Sequence, residues 1–92
     1  MIVVDCQPDE WFLLRRADEH FMLVFSGIGY QPISVATQLD EEQVAAIAMF
    51  GKAACQEIGN HLADMFLDAY DISDSDEAEI RAAVDEWSAL NA

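Results

Sequence analysis

Positive charge is what this sequence most lacks. Its 92 residues hold 4 Lys and Arg against 18 Asp and Glu, for a formal net charge of −14. A surface of that sign repels nucleic-acid phosphates and anionic lipid headgroups, so direct binding to nucleic acid or to a membrane surface is disfavoured. Cysteine is scarce too. Cys6 and Cys55 have no metal-ligating neighbours at short spacing, which argues against a disulfide framework and leaves two thiols, at least one buried. No apolar run approaches the roughly 20 residues needed to cross a bilayer, and no signal peptide precedes the first strand, so the expectation is a cytoplasmic chain. Serines 26, 34, 73, 75 and 88 have no histidine motif beside them, and the carboxylates sit in an exposed acidic field. Neither pattern suggests a tuned nucleophile or an acid–base couple, so no enzyme is expected. Repeats, low-complexity segments and linkers are missing, and the length fits a single domain over 1–92.

Hydrophobic residues make up 53% of the chain, which argues against disorder despite the charge. The first part, 1–39, reads as strands. Met1 to Asp5 is a short β-branched run, Trp11 to Arg16 a second strand, His20 to Ser26 a third, with Ala17-Asp18-Glu19 as the turn between them. Phe21, Leu23 and Phe25 share one face of the third strand and Met22 and Val24 the other. The second strand divides likewise, Trp11 and Leu13 against Phe12 and Leu14, so both faces of the sheet carry apolar residues and call for cover. One cover is a long helix; the other is open to a partner chain. Gly27 to Pro32 is a loop. Its Gly-x-Gly lacks the third glycine and the following helix of a phosphate cradle, so the turn reading wins. Ile33 to Gln38 alternates as a half-buried strand does.

The rest of the chain is organised by one long amphipathic helix over 40–71. Asp40 is a good N-cap, Gln43 takes the capping-box position, and Glu41 and Glu42 fill the first turn, where carboxylates meet exposed amide groups. Val44, Ile47, Gly51, Ala54, Ile58, Leu62, Met65 and Ala69 recur on one face. A helix of that length would span on the order of 45 Å, long for so small a domain, and Gly51 and Gly59 are the two places for a bend. Ala48, Gly51, Cys55, Gly59 and Ala63 form a small-residue stripe, which fits close packing inside the chain or the seam of a homodimer. A second helix spans 73–90, capped by Ser73 or Asp74, with Ile80, Val84, Trp87 and Leu90 as its stripe. Strands followed by helices predict an α+β fold: an antiparallel three- to four-stranded meander with two helices packed on one face.

The acids are uneven. Residues 1–39 carry −3 and residues 40–92 carry −11. On the long helix Glu57, His61, Asp64, Asp68 and Asp71 follow one another at steps of three and four. One helix offers too few ligands for a transition metal, and no second histidine-bearing helix completes a site, so a solvated acidic face is favoured over a metal centre. Asp71, Asp74, Asp76 and Glu79 are out of register with a calcium loop. No metal and no cofactor are therefore expected. Asp64, Asp68 and Asp71 nevertheless fall in the last turns of the helix, where exposed carbonyls disfavour anions by roughly 0.3–1 kcal/mol each. From Asp64 through Glu79 the acids form a corner without a base. Such crowding hints at function.

A short, cysteine-poor chain with acids massed as in DMFLDAYDISDSDEAEI resembles the small acidic proteins that phages use against restriction or CRISPR nucleases. The resemblance covers about residues 57–86. It is one of charge without a shared motif and assigns no residue roles. It implies a nucleic-acid-mimicking inhibitor whose partner is a basic protein or nucleoprotein complex. The expected contact residues are Asp64, Asp68, Asp71, Asp74, Asp76 and Glu77, flanked by Glu57 and Glu79. An immunity protein for a basic toxin would use the same face. The alternative is a homodimeric adaptor or chaperone-like module that binds through Trp11, Phe12 and the Gly51/Cys55/Gly59 seam, its charge serving solubility.

Overall fold

A computed structural model describes residues 1–8, 10–26, 33–64 and 72–91. Four strands, β1 (Ile2–Gln7), β2 (Trp11–Arg16), β3 (Glu19–Ser26) and β4 (Ile33–Gln38), precede three helices, α1 (Glu41–Phe50), α2 (Lys52–Asp64) and α3 (Asp74–Leu90). The strands pair antiparallel in the order β1-β2-β3-β4, a meander, and the fold is α+β. β1 is an edge strand whose register against β2 shifts between Val3 and Asp5. Such a bulge bends an edge and blunts it against stray pairing. The expected loop over 27–32 and the last part of the expected long helix, 65–71, lie outside the described residues.

The two apolar faces of β2 and β3 dictate the layers. Trp11, Leu13, Met22 and Val24 point one way and form a core with Leu39, Cys55 and Leu62, joined by Val44, Ile47 and Ile58. Phe12, Leu14, Phe21 and Leu23 point the other way and form a second core with Ala36, Ile80 and Val84, joined by Trp87 and Ala83. The helices therefore divide between the faces: α1 and α2 cover one, α3 the other. This corrects the expectation of two helices on a single face. A central strand pair that is apolar on both sides needs two covers, since burying each large apolar side chain is worth about 1.5–3 kcal/mol. The second cover comes from the chain itself.

The single long helix is also corrected. It is broken at Gly51, whose φ of 62° and ψ of −134° no helix contains. The Gly51 N–H closes α1 on the carbonyl of Ile47 at 2.7 Å, while its own carbonyl accepts from Ala54 and starts α2. Gly59 stays helical and serves packing instead. A Cβ there would lie 3.3 Å from Cδ1 of Trp11, so its bare backbone is what lets the indole seat against α2. The Trp11 Nε1–H donates to Oε1 of Gln56 at 3.1 Å, which satisfies the one polar atom of a side chain only 1% exposed. The small-residue stripe thus belongs at Cys55 and Gly59 to the core. With Trp11, Phe12 and Cys55 all buried, the homodimer seam read from the sequence has no surface at these positions.

Candidate partner-binding surface

α1 begins as its sequence predicts. Asp40 accepts from the Gln43 N–H at 2.8 Å, and the Gln43 side chain accepts in return from the Asp40 N–H at 2.9 Å. At α3 the cap is Ser73, whose hydroxyl accepts from the Asp76 N–H at 3.1 Å, with Asp74, Asp76 and Glu77 in the first turn. Both helix starts point acids at exposed amides, a favourable arrangement that needs no function to explain it.

What the fold adds is their position. Arg16 ties the β2–β3 turn to the start of α3 at one end of the sheet, and the start of α1 lies across a cleft from the same turn. The Arg16 Nη1 donates to Oδ1 of Asp76 at 2.8 Å and to Oε2 of Glu79 at 2.6 Å. Its Nη2 donates to Oε1 of Glu19 at 3.0 Å. The guanidinium also lies 5.2 Å from the centre of the Phe21 ring, a cation–π contact. Three carboxylates on one cation hold the Arg16 pKa above its ordinary value, chiefly through Asp76 and then Glu79 and Glu19. The Asp76 carboxyl is lowered in turn, chiefly by its hydrogen bond from Arg16. Glu19 accepts a further bond from the Gln38 amide at 3.3 Å. Beside it Asp18, Glu19, Asp40 and Glu41 line a cleft between the turn and α1. His20 lines the same cleft, its Nδ1 buried and without a hydrogen-bond partner.

The residues expected from the sequence are therefore redistributed. Asp76 and Glu79 come together, but around a base, so the corner without a base is corrected: Arg16 arrives from β2, where sequence distance hid it. Glu77 pairs with Arg81 one turn later at 2.9 Å, and Asp74 is exposed at the start of α3. Glu57 is exposed on α2, which packs on the opposite sheet face from α3. Asp68 and Asp71 lie outside the described residues, and Asp64 is described only as the backbone end of α2. Asp18, Glu19, Asp40 and Glu41 were missed. Read along the chain they are a turn and a cap, and only the strand register brings them to one cleft.

A second feature lies on the other layer. α1 and α2 enclose an open groove of about 640 Å³ with Ala46, Phe50, Ala53 and Ile58 among its lining and Glu42, Glu57 and His61 along it. Phe50 in that lining is 67% exposed, and Met49, its neighbour in the chain, 77%. The cysteines offer no reactive site. Cys55 is buried with its thiol pushed up to about 11, first by burial, and Cys6 is raised for the same leading reason, so neither tends to the thiolate. Among the described residues no three His, Cys, Asp or Glu side chains converge as a metal site requires, and no helix is long and apolar enough to cross a membrane. No family model matches the chain, and no curated protein or solved structure matches it either, so its function is to be read from its own surfaces.

Proposed function

We propose that the protein is an inhibitor that docks its acidic end onto a basic surface of a protein whose normal ligand is nucleic acid, in the manner of the phage proteins directed at restriction or CRISPR nucleases. The observation that carries the reading is Arg16 gathering Glu19, Asp76 and Glu79 from two elements into one array. Carboxylates fixed before binding lose less side-chain freedom on docking than carboxylates on flexible stems. The single guanidinium leaves the array net negative, and Asp18, Asp40, Glu41 and Asp74 extend it. Arg and Lys clusters that normally meet phosphates would find acceptors here at charge-assisted distances. Asp64, Asp68, Asp71 and Glu77, with Glu57 flanking, belong to the same proposal.

The test is a pull-down with the tagged chain at low and high salt, parent against the variant Asp18→Lys/Glu41→Lys/Asp74→Lys. All three side chains are exposed, so the fold should persist. The expected result is a basic nucleic-acid-binding protein retained by the parent at low salt, lost at high salt, and lost by the variant. Retention of one partner by both proteins at either salt would overturn the reading.

A further inference from the structure

The α1–α2 groove is a separate surface with its own chemistry. α1 has no buried residue, although Val44, Ala45, Ala46, Ile47, Ala48, Met49 and Phe50 make most of it apolar. Val44 and Ile47 lean on the core, leaving Phe50 exposed in the lining of a groove shared with Ala46, Ala53 and Ile58, and Met49 exposed next to it in the chain. Large exposed apolar side chains clustered at a concavity mark an interaction site, whereas single ones scattered over a surface do not. The groove also has a sign. Glu42 lines it from α1 and Glu57 from α2, and no Lys or Arg does.

From these features we infer that the groove is a docking site for a basic amphipathic helix of a partner protein. Small Ala side chains in the lining leave room for apolar residues one helical turn apart, and Phe50 flanks them at the elbow. Lys or Arg on either side of that stripe meets Glu42 and Glu57. A second copy of the chain is the poorer occupant: it brings a net charge of −14 and the same acidic lining to the contact. The site lies on the opposite layer from α3 and stands whether or not the acidic end binds a nucleic-acid-binding protein.

The probe is a labelled, 16-residue peptide of Leu and Lys with Leu at helical spacing, compared with a scramble of the same composition and with its Leu/Glu counterpart. Anisotropy titrations at about 150 mM salt are run on the full chain and on three variants. Ala53→Trp fills the groove from an exposed position, Phe50→Ser removes the elbow anchor without touching the core, and Asp18→Lys/Asp74→Lys alters only the acidic end. The expected result is saturable binding at least about tenfold tighter than the scramble, weakened about fivefold or more by Ala53→Trp and Phe50→Ser, and unchanged by Asp18→Lys/Asp74→Lys. Equal binding of peptide and scramble would reduce the effect to bulk charge and overturn the inference, as would a titration insensitive to both groove variants. Sedimentation showing a dimer that Phe50→Ser dissociates would overturn it too, by making a second copy the occupant.

Discussion

Gly59 of α2 lies directly on Trp11 of β2, so close that a single added methyl would sit 3.3 Å from the indole Cδ1 and 3.6 Å from Cγ. A helical Gly→Ala change normally stabilises by about 0.8–1 kcal/mol. Here the methyl meets a ring that is 1% exposed and tethered through Gln56, and overpacking of that kind costs about 1–3 kcal/mol. The crowding outweighs the propensity. Gly59→Ala should lose about 1 kcal/mol in urea unfolding, and a double-mutant cycle with Trp11→Leu should recover much of it. A stabilised Gly59→Ala would show that Trp11 has room to retreat.

Gly51 is a glycine of a different kind. Nothing lies within 4 Å of where its Cβ would be, so space does not select it; its φ of +62° does. Gly51→Ala should therefore cost about 1–2 kcal/mol through the backbone alone, with near-native far-ultraviolet circular dichroism. Loss of most helical signal would mean that the elbow is a folding element and not only a bend.

The two glycines show where sequence reading reached and where it stopped. Both stood out as breaks in helical propensity, but propensity alone gives the same penalty to a glycine that turns the chain and one that admits a tryptophan. β2, β4 and the capping box at Asp40 follow from local signals, alternation and side-chain-to-backbone bonds within four residues, and stand as expected. The layer order and the acidic array do not. Two apolar sheet faces announce two covers but not which helix supplies each, and Arg16 reaches Asp76 and Glu79 only once sixty residues of chain have folded between them. What is local is legible; what the register assembles is not.

Trp87 tests the layer assignment. Its ring meets Phe12 edge to face, centroids 5.4 Å apart at 77°, and helps attach the C-terminal half of α3 to the second sheet face. Trp87→Ala removes a partly buried aromatic and its ring pair, so about 2–3 kcal/mol of stability should be lost. Hydrogen exchange should quicken in α3 before α2, because α2 packs on the other core. Equal acceleration of both helices would show that the two cores unfold as one unit.

The last prediction concerns acid. The Arg16 guanidinium beside Asp76 holds its carboxyl below the ordinary value of 3.8. The unfolded chain, with no such partner, binds the proton first as pH falls, so between the folded value and 3.8 the unfolded state carries more protons and acid favours it. The stability that Asp76 contributes is therefore complete above 3.8 and drains away as pH drops through the lower, folded value. Asp76→Asn keeps an oxygen for Arg16 but removes the titration. At neutral pH the variant should be the less stable protein, and the gap should narrow below pH 3.8 as the parent loses what the variant never had. Urea titrations at neutral pH and at several points down to about pH 2 would show it. A gap that stays constant over that range would mean that Asp76 draws its low value from no interaction special to the folded state, and the Arg16 array would lose its claim to hold the acidic end together.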